Sequence, residues 1–260
     1  MAMNESRAKR VSKMTDKEIK EAVKETYAKV ATSSKSCCDA FCCDVPFLGG
    51  GTALARMLEY DIENIPMSVT ESFAGCGNPV ALSDIREGET VLDLGSGAGL
   101  DVFVAARKVG DKGRVIGVDM TPEMIEKAKM NTDRLGIGNV EFRLGDLEHL
   151  PIEDESIDMI ISNCVINLTT HKFKAFKEAH RVLRPGGRMY ISDIVIEGKL
   201  PKKVQESVEA YTACISGALE EEKYLQTVKD AGFVNVKIIG KTKFLDYLAS
   251  EKIKASKPKK

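Results

Sequence analysis

The sequence predicts an α/β fold, a mostly parallel sheet with helices on both faces. Two observations predict it. From residue 89 onward short β-branched runs alternate with helical patterns, as in "TVLDL", "AGLDVFVAARKVG", "RVIGVD", "TPEMIEKAKMNTDRLG" and "VEFRLGD". Alternation of this kind builds βαβ units around a parallel sheet. A glycine-rich turn, "LGSGAG", also joins the first strand to its helix, and open α/β sheets receive their ligands at the carboxyl ends of the strands. A chain of 260 residues buries one good core, so one domain with a modest extension is expected.

Each element follows from its local pattern. Residues 1 to about 30 carry charges around an apolar rhythm of Ile19, Val23, Tyr27 and Val30, which reads as an amphipathic helix. Residues 31–51 change to "ATSSKSCCDAFCCDVPFLGGG", small residues closed by a glycine triplet, a loop with freedom to move. A short helix around "TALARMLEY" precedes a stretch rich in turn formers. After the βαβ units come strands at 156–163 and 187–196, with a helix near 171–184 that ends at "RPGG". Segments 202–217 and 220–231 read as helices, "FVNVKIIG" as a further strand, and the basic "KIKASKPKK" as a frayed tail.

Composition narrows the function. A formal net charge of -1 gives no pull toward nucleic acid. No run approaches the roughly 18 apolar residues of a membrane span, and the N-terminus lacks the apolar core of a secretory signal, so a cytoplasmic location is expected. Seven cysteines do not match the framework of a small disulfide-stapled fold. In a reducing compartment such thiols ligate something soft or do redox chemistry, although a lone buried cysteine is also a good packing residue.

In "VLDLGSGAG" the glycines at 95, 97 and 99 let the backbone turn tightly, and the following helix offers free N–H groups to a ligand. Such a turn is shared with dinucleotide binders. Its neighbours are more telling: Asp93 before the turn, Asp119 ending the second strand in "GVDM", and Asp146 in "GDLEHLP" after the third. An acid at the end of the second strand suits the two hydroxyls of a ribose. Together these residues resemble the class I S-adenosylmethionine-dependent methyltransferases over about residues 89–197. The resemblance implies a Rossmann-like, seven-stranded sheet with an N-terminal helical and loop extension and a C-terminal α+β part that binds the acceptor. It also implies S-adenosyl-L-methionine as methyl donor. Asp93 would hold the methionine amino group, Asp119 the ribose and Asp146 the adenine amine, with Gly95, Ser96, Gly97 and Asn163 at the donor and Met120 and Leu147 lining the adenine.

A methyltransferase core leaves the acceptor open, because function lies in the site carried by the fold. Cys164 follows the fourth strand in "SNCVINL", Cys214 falls in "YTACISGAL" on an expected helix, and Cys76 sits between two glycines in "AGCGNPVAL". These phrases, with "VDMTPEM", closely resemble arsenite S-adenosylmethionine methyltransferases across roughly residues 60–240. The resemblance implies that Cys76, Cys164 and Cys214 hold trivalent arsenic as acceptor substrate, and that Cys37 or Cys38 exchanges disulfides with Cys76. An external thiol or dithiol, either a small thiol or a thioredoxin-like protein, would restore the thiols. No role falls to Cys42 and Cys43 from it.

The chemistry agrees. Trivalent arsenic is soft and prefers thiolate sulfur. With three bonds filled by cysteines, its lone pair faces the methyl donor, and transfer needs positioning and exclusion of water but no proton abstraction. The three histidines, His149, His171 and His180, therefore read as surface or structural residues. Two other readings stay open: a methyltransferase for a small organic metabolite with structural cysteines, or a soft-metal-binding module. The spacing C-C-x3-C-C in residues 37–43 departs from the commoner two-residue zinc spacing. The expected organisation is an N-terminal segment over 1–75, a donor-binding domain over 76–197 and an acceptor-binding segment over 198–260.

Overall fold

The computed structural model describes residues 10–32 and 50–259. In chain order the helices are α1 (Asp16–Thr32), α2 (Gly50–Met57), α3 (Met67–Thr70), α4 (Pro79–Leu82), α5 (Leu100–Val109), α6 (Pro122–Leu135), α7 (Lys172–Val182), α8 (Lys202–Gln205), α9 (Val208–Thr212) and α10 (Glu221–Asp230). The strands are β1 (Thr90–Leu94), β2 (Arg114–Asp119), β3 (Val140–Leu144), β4 (Ile157–Asn163), β5 (Leu183–Ile196), β6 (Val234–Leu245) and β7 (Leu248–Ser256). They form one seven-stranded sheet in the order β3-β2-β1-β4-β5-β7-β6. β1 to β5 run parallel, and β7 is antiparallel to both of its neighbours.

Side-chain alternation along the strands divides the core between two faces. Leu92 and Leu94 of β1 and Ile160 of β4 join Phe176 of α7 and Tyr224 of α10 on one side. Those two rings meet edge to face at 5.6 Å. Val91, Met159 and Ile161 pack with Phe103 and Val109 of α5 on the other. Each such fully buried side chain contributes roughly 1.5–3 kcal/mol relative to exposure. The strand order reverses between β1 and β4, which opens a crevice at their carboxyl ends.

Three local expectations are corrected. The basic C-terminal stretch is not frayed: it is β7, inserted between β5 and β6, with Ala249, Ile253 and Ala255 at most 1% exposed. Its lysines alternate with apolar residues, and Lys254 lays its ammonium over the Tyr190 ring at 4.9 Å. The "RPGG" stretch lies inside β5, where an irregularity in pairing with β4 between Ile157 and Met159 accommodates it. Segment 202–217 is two short helices, not one, because Ser207 caps a fresh start by accepting the N–H of Ala210 at 3.1 Å.

Candidate functional site

At the crevice, the N–H groups of Gly95 and Ser96 both bond Val118 O, at 2.8 and 3.0 Å, folding the glycine turn back over β2. Gly95 has φ +73°, and a side chain there would run into Val165, so the position needs glycine on both counts. The turn forms one wall of an open cleft of about 930 Å³, where Gly95, Ser96 and Gly97 face Met120, Leu147 and Asn163. Cys164 lines the same cleft.

Buried and half-buried acids gather beneath the turn. Asp119 accepts the N–H of Gly97 at 3.0 Å and of Thr121 at 2.9 Å, yet burial still holds its carboxyl above the usual range. Asp93 is 2% exposed within β1. Burial first, then the nearby Asp101 and Asp119 carboxylates, pushes its carboxyl well up. It is absent from the cleft wall, where Asp101 stands instead. Burial pushes Asp101 up to about 6, against hydrogen bonds from Tyr60 Oη at 2.7 Å and Asn163 Nδ2 at 3.3 Å. Carboxyls raised by burial, and for Asp93 also by its acidic neighbours, are an electrostatic complement to a cation. Ser96 Oγ is buried in the same wall and has no partner among the described residues. An amino-sulfonium ligand bearing a ribose and an adenine ring, as in S-adenosylmethionine, fits this combination of acids, orphaned hydroxyl and apolar walls.

Helix α1 closes the other side of the cleft. Its Lys20 pairs with Asp146 Oδ2 at 2.6 Å and with Glu148 Oε2 at 3.0 Å, so the acid after β3 is engaged by the N-terminal helix. Glu148 is 5% exposed and also accepts the N–H groups of Thr170 and His171, each at 3.0 Å. One side chain thus ties α1 to the loops after β3 and β4.

The thiols converge behind the cleft. Cys76, Cys164 and Cys214 are all buried and share one cluster with Leu168, Ile194 and Tyr211. Cys214 Sγ lies 2.7 Å from Cys164 O. Cys76 Sγ, Cys164 Sγ and a carboxylate oxygen of Asp193 lie within 4.8 Å of one another. Hydrogen bonding with the Cys214 and Cys76 side chains, with burial, pushes the Cys164 thiol well up, so it is held as a thiol until a thiophile displaces its proton.

Two of these cysteines sit on unusual backbone. Cys164 has φ +58° and Cys214 φ +64°, a left-handed region that costs a residue with a Cβ roughly 1 kcal/mol or more. Cys214 accordingly stands past the end of α9 rather than on a helix, a further correction to the sequence reading. Cys76 is positioned by Asn163 at the end of β4. Asn163 Oδ1 accepts the N–H of Cys76 at 3.0 Å and of Gly77 at 3.3 Å, while its Nδ2 donates to Gly77 O at 2.8 Å. A side chain at Gly75 would collide with that amide. The glycines around Cys76 thus allow close packing against Asn163.

Sequence reasoning missed Asp101, Tyr60, Lys20 and Asp193. Asp193 carried a readable signal, an acid inside the apolar strand "YISDIVI", since such a group is buried only with partners. It is 0% exposed and accepts from Asn167 Nδ2 at 2.9 Å, Ile194 N at 3.0 Å and Tyr224 Oη at 3.0 Å. Burial nonetheless pushes its carboxyl up to about 7. His171 pairs with Asp16 at 2.8 Å, and His180 meets Phe233 edge-on at 5.3 Å, both away from the thiols. Cys37 and Cys38, with Cys42 and Cys43, lie outside the described residues.

Residues 85–232 match the family described as "Methyltransferase domain". An arsenite methyltransferase of Halobacterium salinarum is 43% identical over 266 residues, covering 93% of this chain and 67% of the relative. That of Aquipseudomonas alcaligenes is 34% identical over 226 residues, covering 84% of this chain and 63% of the relative. The chain therefore spans about two thirds of the length of these curated relatives. Among solved structures, an arsenic(III) S-adenosylmethionine methyltransferase from Chlamydomonas reinhardtii superposes with a TM-score of 0.69 at 35% identity, covering 77% of this chain and 73% of the other. With a methyltransferase domain across more than half its length and a relative this similar over nearly all of it, the chain belongs to the arsenite methyltransferase family.

Proposed function

We propose that the chain methylates trivalent arsenic, with S-adenosylmethionine as methyl donor and Cys76, Cys164 and Cys214 as the ligands of the acceptor. The observation that carries this reading is that three thiols from distant segments meet around Cys164, which itself lines the donor cleft. The donor supplies an electrophilic methyl group on a sulfonium. Asp101 and Asp119 hold its positive end and ribose, with Asp93 acting from behind the cleft wall through its charge, Ser96 and the Gly95–Gly97 backbone hold its carboxylate side, and Met120 and Leu147 its adenine. Asp146 serves the adenine amine once Lys20 shares it.

On the acceptor side, arsenite exchanges its hydroxyls for thiolates, each thiol proton leaving with a hydroxyl as water. The trithiolate presents its lone pair toward the donor cleft, and enclosure by α1 excludes water. Transfer raises arsenic formally by two electrons. A pair of thiols closing a disulfide, Cys37 or Cys38 with Cys76, returns it to the trivalent state. A small thiol or a thioredoxin-like protein reopens that bond by exchange. This cycle suits a reducing compartment such as the cytoplasm, and no described helix is long and apolar enough to cross a membrane.

Radiolabelled donor, arsenite and a thiol incubated with the chain test the proposal. Labelled methylarsenicals are the expected product. Turnover that needs an organic acceptor and survives Cys164→Ser would overturn it.

A further inference from the structure

The thiol cluster holds one donor that arsenic does not need. A carboxylate oxygen of Asp193 lies within 4.8 Å of both Cys76 Sγ and Cys164 Sγ, and Cys214 Sγ, outside that group of three, sits 2.7 Å from the backbone oxygen of Cys164. Pyramidal trivalent arsenic is satisfied by three sulfurs and keeps its lone pair. Zinc instead takes four ligands in a tetrahedron and accepts carboxylate beside thiolate. Tetrahedral zinc with sulfur at about 2.3 Å sets its donors about 3.8 Å apart, which the bound on these three atoms already approaches.

We infer that Cys76, Cys164, Cys214 and Asp193 form a four-donor site for a thiophilic divalent cation such as Zn2+, which excludes arsenite from the same thiols. The carboxylate is placed for it. Tyr224 Oη is the one protein group hydrogen-bonded to Asp193 Oδ2 among the described residues, at 3.0 Å, which leaves that oxygen a lone pair. Asn167 and the Ile194 N–H hold Oδ1 and fix the orientation. Binding releases the three thiol protons, and the carboxyl proton from the fraction of Asp193 that holds one, and forms three metal–sulfur bonds and one metal–oxygen bond, with no change of oxidation state. The assembly carries excess negative charge, and Lys172, whose ammonium interacts with both Asp193 and Cys214, offsets part of it. An ion reaches the site through the cleft that Cys164 lines. Methylation would then be inhibited by zinc through occupation of the acceptor site.

The cation site stands on its own geometry; the competition with arsenite rests on the function proposed above. Serine in place of Cys37, Cys38, Cys42 and Cys43 leaves the three clustered thiols as the sole cysteines of the full chain. Zn2+ alone is titrated into this chain against a chromophoric chelator, with and without arsenite, and the bound metal is read by X-ray absorption. The expected result is one zinc per chain with three sulfur neighbours and one oxygen, displaced by arsenite. Asp193→Asn is expected to weaken zinc about tenfold or more while arsenite affinity stays within about twofold, because arsenic does not use the carboxylate. Zinc bound without sulfur, zinc affinity indifferent to Asp193→Asn in a folded variant, or zinc and arsenite held together would each overturn the inference. Should that variant lose its fold, the coordination found with Asp193 intact decides by itself. Zinc bound in the expected geometry by a chain that takes up no arsenite would sustain the cation site and count against arsenic methylation.

Discussion

The two sides of the crevice are built on opposite principles. The proposed donor side draws its acids and glycine turn from one stretch, Asp93 to Leu147, and sets carboxyls raised by burial between apolar walls. On the acceptor side, sulfurs are drawn from residues 76, 164 and 214 and set in an apolar cluster. Asn163 and Cys164 at the end of β4 are the seam, since Asn163 bonds Asp101 on one side and the Cys76 loop on the other. On the function proposed above, a cationic donor and a soft neutral acceptor would be recognised by different physics, and each side could be damaged without the other.

The largest effect should come from Cys164→Ser or Cys214→Ser. Each removes an arsenic ligand and should lower arsenite methylation by about a hundredfold or more, while calorimetry finds donor affinity changed less than about threefold. Asp101→Asn is the mirror experiment. It should weaken donor binding about tenfold and leave arsenite binding, read by quenching or dialysis, nearly intact.

Core stability separates next. Ile253→Ala in β7 should cost about 2–4 kcal/mol in denaturant unfolding, a loss that a frayed tail would not produce. The pH dependence follows from Asp101, whose carboxyl rises in the folded protein from 3.8 to about 6. The unfolded chain ionises first, so the donor-free protein loses stability between about pH 4 and pH 6 and no further from this group above that. A cationic donor binds the ionised form, so its affinity should climb as pH rises toward about 6 and level off above it. The smallest effect is Lys20→Met. Lys20 and Asp146 are partly exposed, and Glu148, though buried, keeps its bonds from Thr170 and His171, so the loss should lower stability by about 1 kcal/mol.

The same division explains what could be read in advance. Strand and helix alternation from 89 to 163 was legible because local pattern and tertiary role coincide there, as did the glycine turn and the acids after β2 and β3. β7 was hidden because the alternation in "KIKAS" reads as charge when its neighbours are unknown, whereas between β5 and β6 its apolar face is buried. Lys20 and Tyr60 lie outside the motif region, and nothing local marks a lysine that reaches across to Asp146. Asp193 needed the third dimension: its place beside Cys76 and Cys164 depends on loops that sequence spacing does not fix. The left-handed backbone at Cys164 and Cys214 has no sequence signal at all, since those residues are not glycine.

Arsenic X-ray absorption on the chain that retains Cys76, Cys164 and Cys214 alone among its cysteines addresses the shared acceptor site most directly. Three sulfur neighbours around one arsenic atom, reduced to two by serine at any of the three positions, is the predicted result. Arsenic left with oxygen neighbours, or bound equally well after Cys164→Ser, would contradict it.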